Sequence, residues 1–314
     1  MFDSPRLPAS AELAVASVEA GAEQREREAE AVSALSRVYG APDLHAAILA
    51  LLLPPGNERA TQVWQRETRD IPEAQTLRSH ALALSGATRL PWFERLVTCM
   101  HDQPIAARRA LLMATRRLMS ARGPIHPLDR LHWLEMRQRL GEPSHAQLQG
   151  PAHTELAEMP QDDVQAVSIY SAFLSRVVPG VMRSVMPGVM PGVVPNEAAG
   201  PDAGPAWYAT VMEPWRQHGE VLKCTPPDAD TMVSALLAIQ SLTWMQRPML
   251  LRRWVEAALQ HGPLQLHPPH PPAPGFSGFH DDAADALRIT GALLHSPLPP
   301  ELMRHYSTTP EETR

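Results

Sequence analysis

Thirty-three prolines are spread through 314 residues. Each proline fixes φ and withholds an amide donor, so a sheet threaded by them loses ladder bonds and a helix must begin or end near them. No stretch alternates apolar and polar residues over strand length, whereas apolar residues recur at three- and four-residue steps between the prolines. Leu111, Leu112, Thr115, Leu118 and Met119 form one such stripe. Pro104 and Pro127 fall where a first helical turn tolerates them. The expected fold class is therefore all-α.

The spacing predicts a charged N-terminal helix within residues 1–38, with Glu23 to Glu28 as its solvated middle. A first helical lobe is expected over 39–145, with helices near 43–53, 57–69, 73–84, 90–101, 104–121 and 127–140. Residues 146–205 read as a linker holding one helix near 162–177. The linker also holds a Pro-Gly and Val-Met repeat from Val178 to Gly192, in which Val189 and Met190 offer adaptable apolar contacts. A second lobe is expected over 206–306, with helices near 206–218, 228–244, 247–260, 281–295 and 298–306, capped at Asp228 or Asp230 and at Asp281 or Asp282. Residues 307–314 read as a tail. Arg108-Arg109-Ala110-Leu111-Leu112 and Arg247-Pro248-Met249-Leu250-Leu251 stand at a constant offset, which also brings Gly123-Pro124-Ile125 onto Gly262-Pro263-Leu264. The pattern reads as two related helical hairpins, each carrying a leucine stripe that it cannot bury alone.

Several function classes are disfavoured at once. The net charge of −6 offers no basic surplus for a phosphate backbone, so nucleic acid is not an expected partner. Two cysteines, Cys99 and Cys224, make neither a disulfide framework nor a four-cysteine zinc module. Ala46 to Leu53, the longest strongly apolar run, is too short to cross a bilayer. Met1 to Arg6 carries no basic-then-apolar export pattern, so a cytoplasmic location is expected.

Candidate chemistry is sparse. His261, His267, His270, His280 and Asp281 are the weak candidates for a metal, but they fall in or beside a proline-rich loop without rigid spacing. Gly275-Phe276-Ser277-Gly278 has its second glycine one residue too early for a nucleophile elbow, and Lys223 follows no glycine-rich loop. Most of the seven tryptophans are spaced as core residues. Trp207 and Trp215 flank the insert and, with Val189 and Met190, are the expected partner-binding positions. No cofactor and no catalytic residue is expected.

Leu90-Pro91-Trp92-Phe93-Glu94-Arg95-Leu96, Ala107 to Leu112, Gly123-Pro124-Ile125 with Asp129, and the terminal Ser296-Pro297-Leu298-Pro299-Pro300 block resemble a known family. It is the TerB-like helical module, specifically the soluble tail of bacterial HtpX-like membrane zinc metallopeptidases. The resemblance spans about residues 30–305 and implies duplicated helical hairpins. The protease's His-Glu-x-x-His motif does not occur in the chain. At the module's turn, Arg122 and His261 occupy positions where an acidic residue is usual, which counts against a metal there. The implied function is a non-catalytic interaction or regulatory module for a protein partner, such as a membrane metallopeptidase. A metal- or ligand-sensing stress module is the alternative.

Overall fold

The structure is a computed structural model. It describes residues 9–141, 155–179, 203–218, 223–261 and 279–307, with side chains from Gly21 onward. The described residues form thirteen α-helices and two short 3-10 helices, with no strand among them. The chain is all-α, as the proline pattern requires. It divides into two compact units, Met1–Gly123 and Pro124–Arg314.

The first unit contains α1 (Ala9–Leu35), α2 (Ala41–Leu51), α3 (Glu58–Glu67), α4 (Ala74–Ala83), α5 (Gly86–His101) and α6 (Ile105–Ala121). Helix α2 is apolar almost all round, and such a helix is stable in water only when surrounded. Leu44, Ala46, Ala47, Ile48 and Leu49 are fully buried, with α3, α4, α5 and α6 packed about them. Trp64 on α3 is buried as well, and its indole N–H donates to the Ala46 carbonyl at 3.3 Å. Helix α1 exposes its charged middle but buries Ala31 and Leu35. Gln24 donates to the Ala83 carbonyl at 2.9 Å, and Glu28 accepts from the Ser85 hydroxyl at 2.6 Å and the Ser85 amide at 3.0 Å. The N-terminal helix thus packs on α4 as part of this unit.

The second unit contains α7 (Pro127–Leu140), α8 (Gln161–Leu174), α9 (Ala203–Val211), α10 (Ala229–Ser241), α11 (Gln246–Gln260), α12 (Asp281–Leu293) and α13 (Pro300–Tyr306), with 3-10 turns at Leu156–Glu158 and Glu213–His218. Two boundaries differ from the sequence reading. Helix α7, expected in the first lobe, packs along α12 in the second unit. Helix α8, expected inside a linker, is central instead. Val167, Tyr170, Ser171 and Leu174 on it are fully buried, and α10 and α9 pack against it. A surrounded helix needs no polar face, so α8 shows no stripe that would separate it from an apolar linker. Its few polar groups are paired. The Tyr170 and Thr290 hydroxyls share a bond at 3.1 Å, those of Ser168 and Tyr208 share one at 2.6 Å, and the Trp254 indole donates to Ser171 Oγ at 2.9 Å.

The offset that aligned the two sequence segments also aligns their burial. Phe93, Leu96, Val97 and Met100 on α5 are buried, as are Met232, Ala235, Leu236 and Ile239 on α10. Leu111, Thr115, Leu118 and Met119 on α6 correspond to the buried Leu250, Trp254, Ala257 and Ala258 on α11. The Gly262-Pro263-Leu264 turn lies outside the described residues.

Candidate interaction surface

Helix α10 starts at Asp228, whose carboxylate accepts from the Thr231 amide at 2.8 Å and is thereby held below its usual pKa. Its buried side meets α8. The other side presents Asp230, Thr231, Ser234 and Leu237 as exposed residues, with Ala238 and Ser241 half-buried beside them. These positions recur every three or four residues and form one helix face. From Thr231 to Gln246 the chain contains no Asp, Glu, Lys, Arg or His.

The turn after α10 carries the most unusual exposure among the described residues. Trp244 is 75% exposed, while Trp64, Trp207 and Trp254 are at 0%. Met245 and Met249, one helical turn apart, are exposed beside it in sequence. This turn is braced. Gln246 Oε1 accepts from the Thr243 amide at 3.3 Å and the Thr243 hydroxyl at 3.1 Å, and Thr243 Oγ1 accepts from the Gln246 amide at 3.3 Å. That reciprocity is a capping box at the start of α11. Arg247 donates to the Leu294 carbonyl at 2.9 Å, and Gln240 donates to the Leu293 carbonyl at 2.7 Å. Gln138 on α7 bonds the same Leu293 carbonyl at 3.4 Å and accepts from Gln240 at 3.2 Å. Side chains from α7, α10 and α11 therefore satisfy carbonyls at the end of α12, which a helix terminus leaves without internal partners. Gly291 permits this packing, because a Cβ there would stand 2.9 Å from Leu298 Cδ2 and 3.0 Å from Leu251 Cδ2.

The corresponding face in the first unit differs in chemistry. Ser234, Leu237 and Ser241 align with Arg95, Thr98 and Asp102 on and just after α5. Arg95 and Thr98 are exposed there, as Ser234 and Leu237 are here. The helical scaffold thus accepts charge at these positions, where α10 carries Ser234, Leu237 and Ser241.

The expected site residues fall elsewhere. Trp207 is fully buried, and Trp215 is 3% exposed with its indole donating to the Leu156 carbonyl at 2.6 Å. Neither is an exposed anchor; both are enclosed as part of the second unit's core. Val189 and Met190 lie outside the described residues, as do His267 and His270. His261 Nε2 bonds Thr210 Oγ1 at 2.8 Å. His280, rather than Asp281 or Asp282, caps α12, with Nδ1 accepting from the Asp282 amide at 3.4 Å. Asp281 pairs with His305 at 3.4 Å, which holds its carboxyl below the usual range. Among the described residues, no three His, Cys, Asp or Glu side chains group in a way that fits a metal ion. The sequence reading placed Trp244 at the end of a helix expected near 228–244, and leucine-stripe reasoning assigns tryptophans to the core by default.

No family model, curated protein or solved structure matches the chain. No helix of the described residues is long and apolar enough to cross a membrane.

Proposed function

We propose that this chain is a non-catalytic protein-interaction module whose working surface is the exposed face of α10 together with the Trp244 turn. One observation carries the reading: Trp244, Met245 and Met249 are exposed large apolar side chains at a turn fixed by hydrogen bonds. The centres of protein interfaces are depleted in charge and enriched in Trp and Met. Ordering an anchor before binding lowers the entropy lost on docking. Water gains nothing from a rigid, exposed indole, whereas a partner's pocket does. The resemblance to metallopeptidase tails adds a membrane metallopeptidase as a class of partner for the module.

The test is site-specific. A photo-cross-linking residue replaces Met249 in the full chain, and the same residue replaces Met113 as an exposed control on α6. The reading expects polypeptide adducts from position 249 that position 113 does not give. Identical adduct patterns, or none from 249, overturn it.

A further inference from the structure

We infer that α13 is a releasable latch, held on α12 through a joint of acidic and aromatic side chains that lets go as pH rises and uncovers the apolar seat beneath it. Helix α13 has seven residues, too few to keep its shape without packing. Leu302 on it is fully buried and His305 is 7% exposed, whereas Met303 and Arg304 face solvent. The polar contacts run along one face of α12, where Asp281, Asp285 and Arg288 stand four and three residues apart. His305 Nε2 pairs with Asp281 at 3.4 Å, and the Tyr306 hydroxyl donates to Asp285 at 2.9 Å. The Arg288 guanidinium lies 4.3 Å from the centre of the Tyr306 ring. The His305 ring meets Phe279 edge-on at 6.4 Å and Tyr306 at 4.9 Å.

Three carboxyl groups, those of Asp281, Asp282 and Asp285, crowd the start of α12. Asp285 meets the Tyr306 hydroxyl at the joint. Enclosure acts most strongly against its ionised form, and Asp281 and Asp282 add like charge. The Tyr306 bond and Arg288 favour ionisation, but the net result is a carboxyl raised well above its usual range. The charged groups that act on it belong to α12 and α13. Asp281 is shifted the other way, chiefly by the His305 bond and further by the His305 and His280 charges, with burial opposing. The joint is therefore best satisfied with Asp281 ionised and Asp285 neutral. Undocking returns Asp285 to water, where a carboxyl ionises in the ordinary range. Docking is thus fully favoured below that range and weakens as pH climbs through the docked value, about tenfold per pH unit in between. Helix α12 is also held along α7 and α11, so α13 can leave while α12 stays. Release exposes Leu302 and lifts the His305 ring from Phe279, an apolar surface offered only at the higher pH.

Hydrogen exchange on the full chain tests the latch, read by mass spectrometry over residues 300–307 and divided by the exchange rate of an unstructured chain at each pH. In the wild type, opening of α13 is expected to rise about tenfold or more from pH 5 to pH 8, while residues 246–260 of α11 do not follow. Asp285→Asn cannot ionise and is expected to cut that rise by about tenfold. Tyr306→Phe keeps Asp285 but removes a bond that favours its ionised form, so it is expected to open more than wild type at pH 8; this arm stands whether or not the Asn variant folds. A wild type whose α13 opens alike at both pH values overturns the inference. So does an Asp285→Asn variant that tracks the wild type, or a Tyr306→Phe variant no more open than wild type.

Discussion

Tyr170 and Thr290 offer the sharpest test of α8 as the centre of the second unit. Both side chains are fully buried, one on α8 and one on α12, and their hydroxyls share a 3.1 Å bond. Burial also pushes the Tyr170 phenol well above its ordinary pKa, since a phenolate there has no solvent, although the Thr290 bond works in the opposite direction. Tyr170→Phe removes one hydroxyl and leaves the other enclosed. A buried polar group without a partner costs about 1–3 kcal/mol, while replacing both partners by apolar groups of similar shape is nearly neutral. Tyr170→Phe and Thr290→Val are therefore each expected to destabilise by about 1–2 kcal/mol. The double variant is expected to lose clearly less than the two losses added together, giving a coupling of about 1 kcal/mol. In a unit of this size, about 1 kcal/mol corresponds to roughly 2–4 °C in Tm. Urea unfolding followed by circular dichroism measures all four proteins. Strict additivity, or single variants indistinguishable from wild type, would refute the placement of α8 against α12.

Three further outcomes follow from the geometry. Thr243→Val removes the hydroxyl arm of the capping box and is expected to cost about 1 kcal/mol, and it should also make the Trp244 indole more mobile by fluorescence anisotropy; unchanged anisotropy would count against a braced turn. Burial raises the Asp285 carboxyl well above its usual range, against the bond from the Tyr306 hydroxyl at 2.9 Å, with Asp281 and Asp282 adding to the rise. A carboxyl raised in the fold loses stability as pH climbs from its unfolded value through its native one, so Asp285→Asn should gain stability relative to wild type at pH 8 but not near pH 4, read from Tm at both. Glu67 lies below the usual carboxylate range, first because Arg117 donates two bonds to it at 2.8 and 2.7 Å, with burial opposing. Its contribution is present above the unfolded value and fades as pH falls through the native one. Because the Arg117 side chain is 51% exposed, Arg117→Ala should cost under about 1 kcal/mol at pH 7, with the difference from wild type vanishing in acid.

Much of the fold was legible because helices obey local rules. Proline positions, three-and-four spacing and the Asp228 cap act over one or two turns, so they fix where helices start and stop wherever the rest of the chain lies. The offset between the two sequence segments was readable for the same reason, since burial on α5 and α6 recurs at matching positions of α10 and α11. Local rules also fail in identifiable places. His280 displaced the expected aspartate caps because an imidazole nitrogen can accept the same amide. The candidate site was harder to read, because exposure is a property of what other helices leave uncovered. Trp207, Trp215 and Trp244 are chemically alike, and nothing in their own neighbourhoods ranks them. Enclosure of the first two and protrusion of the third follow from packing across distances that no sequence window spans.

By itself the amino-acid sequence determined an all-α chain, most helix boundaries within a few residues and an offset at which burial recurs on two helix pairs. Only tertiary structure decided that α7 joins α12, that α8 is a core and not a connector, and which tryptophan faces solvent. The physical reason is one of range. Hydrogen-bond caps and helix periodicity are settled between residues a few positions apart, whereas burial is settled by whichever distant surfaces close over a side chain.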